Sequence, residues 1–394
     1  MPLANTPNAY GIITRSFHWL TALLIFTAIG LSFVMDDGPF TDAEEALRAS
    51  FYFSLHKTVG VTSFFVAVAR ILWGFTQPRP GLLNPDHRAE ALLAELVHWS
   101  LYGAMMIMPL SGWIWHAASS GGAPILWPLG QSLPLIPRSD SVAGLAKQIH
   151  ILAHFVLFAT IGLHVLGAVK HALIDRDATM ARMVSGKSVP VPRQIHSSLP
   201  KLGALAGWAF VVAVAYATAE PPKITQTAPQ TAPQTAAAGN WAVTEGSLSI
   251  TFAQLGQSLT GSFGEFHADI SYDEVAKTGA VTVTIPVTSL ELGSVTKQAM
   301  TPEFLAPTAH PTASFKADIL EKDGQLIAAG TLDLRGKEMP VTLPFSLTID
   351  GDTARMLGQT TVDRRDFDIG PNYADEKTVG FKVTIDAALT VQRK

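Results

Sequence analysis

His150-Ile151-Leu152-Ala153-His154-Phe155-Val156-Leu157-Phe158-Ala159-Thr160-Ile161-Gly162-Leu163-His164 sets three histidines in an apolar run without a single Asp, Glu, Lys or Arg. The surrounding apolar segment, residues 147–173, is long enough at ~1.5 Å per residue to cross ~30 Å of hydrocarbon. His150 and His164 are fourteen residues apart, a rise of ~21 Å and close to four turns, so they share a helix face and lie towards opposite ends of the span. His154 is ten residues from His164, about 2.8 turns and roughly 80° out of register, which makes it the rival of His150 on that face.

Further apolar runs at 16–35, 53–75, 93–116 and 202–219 bring the expected number of membrane helices to five. The first run is too long for a cleavable signal peptide and reads as a retained anchor. Mean hydropathy is +0.26 with 15% charged residues, high for a wholly soluble chain. A net charge of −4, with no basic run, gives no nucleic-acid footprint.

Eight histidines fall in or beside the first four spans: His18, His56, His98, His116, His150, His154, His164 and His171. Ionisable groups at that depth are costly and usually functional. The chain has no cysteine, which removes thiolate metal sites, iron–sulfur clusters and covalent c-type haem together. Haem iron between two imidazoles is the remaining centre that uses histidine alone, the alternative being a polar bundle held by histidine hydrogen bonds. Depth pairs His18 with His164 for an inner haem and His56 with His150 for an outer one. His98 and His116, on the third span, have no partner at matching depth.

Basic residues flanking the spans set the orientation. Arg15, Arg79, Arg88, Arg176, Arg182, Lys187, Arg193 and Lys201 fall on one side, against Arg48, Arg138 and Lys147 on the other, where the first loop carries Asp36, Asp37, Asp42, Glu44 and Glu45. The N-terminus is therefore expected in the cytoplasm, and five spans put the C-terminal region in the periplasm of a bacterial inner membrane. Arg15, Arg48 and Lys57 are candidate contacts to haem propionates, or ordinary interfacial anchors.

Residues 220–239, with Thr-Ala-Pro-Gln at 227–230 and again at 231–234, read as an extended tether. From Trp241 the pattern becomes short alternating runs separated by turns such as Asp323-Gly324 and Asp350-Gly351. About eight strands, with a helical insertion near Gly293 to Leu305, suit a closed antiparallel β-barrel able to enclose one elongated apolar ligand. Phe252, Phe263, Phe266, Phe315, Phe345 and Phe381 either line such a cavity or fill a core.

The organisation expected is thus multidomain. A di-haem membrane domain (1–185) has four haem-binding helices. A cytoplasmic loop and fifth, anchoring helix (186–219), the tether (220–239) and a lipocalin-like barrel (240–394) follow.

Tyr10, Phe17-His18-Trp19, Leu55-His56-Lys57-Thr58-Val59-Gly60 with Arg70, Pro109-Leu110-Ser111-Gly112, and His150 to His164 followed by His171 resemble the bacterial cytochrome b561 family. That resemblance implies two non-covalent b haems and exchange with ubiquinone or another isoprenoid quinone, with His171, Arg70 and His98 as candidate quinone or proton-site residues. Some family members imply oxidation of superoxide, a superoxide:quinone oxidoreductase reaction. Trp241, Gly261-Ser262-Phe263-Gly264-Glu265-Phe266, Gly330-Thr331-Leu332-Asp333-Leu334-Arg335-Gly336 and Arg365-Asp366-Phe367 resemble the YceI family of periplasmic, isoprenoid-binding barrels. The Asp and His usual after the leading Trp are absent here, with Thr244 and Glu245 in that neighbourhood. The function these readings imply is electron transfer between a small periplasmic donor and membrane quinone, with the barrel binding an isoprenoid lipid or quinone. The alternatives are a lipid carrier on a redox anchor, or quinol-driven reduction of a periplasmic acceptor.

Overall fold

The structure is a computed structural model that describes residues 2–81, 83, 87–119, 122–127, 131–190, 198–219 and 240–394. The proposed tether falls outside the described residues. The chain divides into two compact units, one built on helices and one on strands.

The helical unit contains α1 (Ile12–Ser32), α2 (Ala43–Phe75) from Tyr52 onward, α3 (Arg88–Ala118), α4 (Asp140–Lys170), a short α5 (Thr179–Val184) and α6 (Leu199–Thr218). Five of these, all but α5, are long and apolar enough to cross a membrane, α4 together with the wider turn His171–Asp175 that continues it. The apolar runs underlie each one, but the helices are longer than the runs. α2 starts ten residues ahead of its apolar segment, because Asp42 accepts a hydrogen bond from the Glu45 N–H at 2.9 Å and caps a polar first turn. Large apolar side chains such as Leu23, Phe26, Phe155 and Leu166 are exposed on the outside of the bundle, as expected of surface that faces lipid.

α6 is more than an anchor. Its Trp208 is buried with Ala104, Ala153 and Leu157 of α3 and α4, and donates its indole N–H to the Ser100 carbonyl at 3.1 Å.

The second unit holds strands β1 (Trp241–Gln254), β2 (Gln257–Phe263), β3 (His267–Asp273), β4 (Thr278–Pro286), β5 (Leu290–Glu291), β6 (Thr312–Lys322), β7 (Gln325–Leu334), β8 (Lys337–Asp350), β9 (Thr353–Asp363) and β10 (Val379–Arg393). Eight antiparallel strands, β1-β3-β4-β6-β7-β8-β9-β10, close on themselves when β10 pairs with β1 from Trp241 opposite Arg393 onward. The two short strands β2 and β5 extend the far end of β1. Closure removes the free edge that β10 would otherwise present. The β6–β7 hairpin turns at Asp323-Gly324, both at positive φ (53° and 80°), the primed geometry that Asp-Gly favours. The helical insertion is present as a turn at Gly293–Val295 followed by Thr296–Ala299.

Candidate haem sites and apolar cavity

α1, α3 and α4 bring three of the membrane histidines into one group. The rings of His18 and His164 are 6.0 Å apart centre to centre and inclined by 55°. Metal–imidazole bonds of about 2 Å on opposite sides of one ion put ring centres on the order of 6 Å apart, so this pair has the spacing that an iron between them requires. His98 belongs to the group as well, its ring 5.0 Å from His164, with Nδ1 donating to the Ala94 carbonyl at 2.6 Å. The expectation that His98 lacks a neighbour at its depth is therefore corrected. The packing of α3 against α4 brings it level with His164. Arg70 of α2 stands beside this group, its guanidinium 5.4 Å from the centre of the Tyr102 ring and Nη1 3.8 Å from Met105 Sδ.

At the other end of the bundle, His56 Nδ1 donates to the Ala28 carbonyl at 2.9 Å, and His150 Nδ1 to the Met108 carbonyl at 2.9 Å, with Ser111 Oγ 3.3 Å away. A carbonyl on Nδ1 fixes the tautomer and leaves Nε2 with its lone pair for a metal, the usual arrangement behind a ligating histidine. His56 and His150 lie within electrostatic reach of each other. His154 also has Nδ1 on a carbonyl, that of Ile151 at 2.7 Å, and its ring lies 4.0 Å from Phe155 and 5.6 Å from Phe158. Gly60, one turn beyond His56, opens onto empty space, and Gly112 lies against the His150 ring. Small residues beside both imidazoles are what a flat macrocycle needs.

The barrel encloses a cavity of about 280 Å³. Its wall is almost wholly apolar and includes Trp241, Phe252, Phe263, Phe266, Phe315 and Phe345. Phe381 is a correction, since it is not part of the wall. The β1–β10 ladder shifts register between Phe252 and Gln254, opposite this part of β10, and the Arg365 guanidinium stacks on the Phe381 ring at 3.9 Å.

Residues 9–186 match the prokaryotic cytochrome b561 family, and residues 241–391 match the YceI-like domain. The chain carries a prokaryotic cytochrome b561 domain and a YceI-like domain.

Cytochrome b561 homolog 2 of Escherichia coli is 29% identical over 194 residues, 48% of this chain and 97% of that protein. The probable superoxide oxidase CybB of Yersinia pestis is 24% identical over 179 residues, 45% of this chain and 97% of that protein. A UPF0312 protein of Pectobacterium atrosepticum is 31% identical over 135 residues, covering 31% of this chain and 70% of that protein. Membership of the cytochrome b561 family implies b-type haem, the group whose iron carries single electrons between bound imidazoles. The histidines of this cytochrome b561 domain fit that group: the His18 and His164 rings approach to 6.0 Å, Nδ1 of His56 and of His150 is tied back to a carbonyl, and no thiolate is needed.

The remaining predicted residues of the b561 domain are placed as follows. Lys57 donates to His116 Nδ1 at 3.4 Å, and His116 Nε2 is 3.1 Å from Gln131 Oε1. Arg15 donates to the Val184 carbonyl at 2.8 Å, and Arg48 is exposed. His171 Nδ1 is 2.8 Å from Asp177 and 3.1 Å from Asp175, while Lys170 bridges Asp175 and Glu90 at 2.7 and 2.8 Å. With Lys170 already supplying the cation, the carboxylates around His171 form an ion-pair network. Burial alone would raise the Asp177 carboxyl, but hydrogen bonds from Thr179 and His171 outweigh it and hold Asp177 below the usual carboxylate range.

Arg182 is the residue that sequence reasoning missed, counting it only in the charge balance. It is buried, 5% exposed. Only its position seven residues beyond Asp175, near the end of the family match, hints that it belongs to the domain's interior.

Proposed function

We propose that the b561 domain carries electrons across the bacterial inner membrane through two b haems, the inner one between His18 and His164 and the outer one between His56 and His150. The observation that carries this reading is the 6.0 Å approach of the His18 and His164 rings from separate helices. The hydrogen bonds that turn Nε2 of His56 and His150 outward support the second pair. Electrons enter from a small periplasmic donor, with superoxide the donor suggested by the superoxide oxidase relative, and leave to membrane quinone near His98, Arg70 and His171. The excess of basic residues on one side supports a cytoplasmic N-terminus and a periplasmic barrel.

The barrel binds an isoprenoid lipid or the tail of a quinone. Its apolar cavity supports this, because burial of prenyl units gains roughly 25 cal/mol per Å² without any polar partner.

Optical redox titration of the purified protein tests the haems. His18→Ala and His164→Ala should each remove one haem, and His56→Ala and His150→Ala the other. Superoxide supplied to quinone-loaded protein should reduce haem and form quinol; absence of both would sink the donor assignment.

A further inference from the structure

Arg182 lies in α5, just beyond the cytoplasmic end proposed for α4. Its Nη1 donates to the Gly81 carbonyl at 2.9 Å, and its guanidinium carbon stands 5.5 Å from the centre of the Tyr10 ring. Its Nε and Nη2 are buried and have no hydrogen-bond partner among the described residues. No carboxylate pairs with Arg182 among those residues either. These two nitrogens form one edge of the planar guanidinium, the edge that grips a carboxylate with two parallel N–H···O bonds. A cation sealed from water with that whole edge unpaired is stable only when an anion completes it.

The surroundings say which anion. Tyr10 lies within electrostatic reach of both Arg182 and Arg70. Arg70 lies in turn within reach of His18, His98 and His164. The Trp19 indole, 5.2 Å from the His18 ring, donates to the carbonyl of Met183, the residue after Arg182, at 3.4 Å, so Arg182 lies near the proposed inner-haem pair, and the b561 family brings there a cofactor with two carboxylates at its rim. We infer that the Nε–Nη2 edge of Arg182 binds a propionate of the inner haem. This rests on the placement of that haem between His18 and His164. Of the propionate contacts expected from sequence, Arg15 donates to the Val184 carbonyl, Lys57 to His116, and Arg48 is exposed.

The test uses the full haem-loaded protein in nanodiscs of neutral phosphatidylcholine, with haem labelled by carbon-13 at the propionate carboxyls. His18→Ala first identifies the inner haem by the spectrum it removes. Arg182→Gln should keep both haems, shift the carboxylate band in redox difference infrared spectra, and leave the outer haem's potential alone. Loss of the positive charge should tip the inner haem towards the oxidised state by about tenfold, a 59 mV fall for a one-electron couple. Arg182→Lys keeps the charge but not the fork, so it should shift the band with a smaller fall, and it serves as the second variant if the glutamine protein does not fold.

Both haems bound with band and potentials unchanged would overturn the inference. So would an effect that appears only when anionic phosphatidylglycerol is added, which would make a lipid phosphate the occupant. If His18→Ala retains both haems, the placement of the inner haem fails by itself, whatever the arginine variants show.

Discussion

Gly112 of α3 and His150 of α4 approach so closely that a Cβ at position 112 would lie 3.0 Å from Cε1 and 3.1 Å from Nδ1 of the imidazole. The contact sits beside the hydrogen bond from His150 Nδ1 to Met108 O. Gly112→Val should push the ring off that carbonyl and weaken retention of the outer haem by roughly 10–100-fold, the usual cost of losing the group behind a ligand. Haem content per protein after detergent washing measures it. A wild-type content would dissociate Gly112 from haem binding.

His154 is the natural control. Its ring is taken up by Phe155 and Phe158, so His154→Ala should retain both haems in an optical redox titration, whereas His150→Ala should lose the outer one. The reverse pattern would move the ligand by one turn of α4.

In the barrel, Arg364 is 4% exposed and donates to five main-chain carbonyls, those of Ile369, Gly370, Tyr373, Val379 and Gly380. The side chain thereby ties the loop after β9 to the start of β10. Arg364→Met strips all five carbonyls of their donor and should cost roughly 3 kcal/mol or more. The midpoint of urea unfolding, followed by the β-sheet signal in circular dichroism, reports it. A change below the error of that midpoint would show that water replaces the guanidinium.

Burial pushes the Tyr373 hydroxyl up to about 12, against about 10 in an unfolded chain. Below about pH 10 both states hold the proton and stability is unaffected. Between these values the unfolded state releases its proton first, so barrel stability should fall as pH rises, by on the order of 2–3 kcal/mol in all. Urea midpoints at about pH 8 and about pH 11 should differ in the parent and differ less in Tyr373→Phe. Equal differences in the two would remove Tyr373 as the cause.

Ala328 is 3% exposed and lies on the cavity wall. Ala328→Trp should fill part of that space at a cost of about 1–3 kcal/mol, and lipid extracted from the purified chain should drop as seen by mass spectrometry. Undiminished lipid would place the occupant outside the barrel.

The sequence by itself determined the kind of molecule. Long apolar runs with few charges and embedded histidines point to membrane helices and a cofactor, because lipid tolerates neither unpaired backbone nor idle ionisable groups. Alternation from Trp241 onward, broken at Asp323-Gly324, demands antiparallel strands, because side chains in a strand change face at every residue. The fourteen-residue spacing of His150 and His164 follows from helix geometry alone.

Only the tertiary structure decided what depends on the angles between elements. The packing of α3 against α4 set His98 level with His164, and the Phe381 ring lies under the Arg365 guanidinium and not on the cavity wall. Burial of Arg182 required the segment after α4 to fold back against Tyr10 and Gly81, residues far away along the chain. Periodicity describes one element at a time, whereas an unsatisfied guanidinium edge is a property of all the elements packed around it.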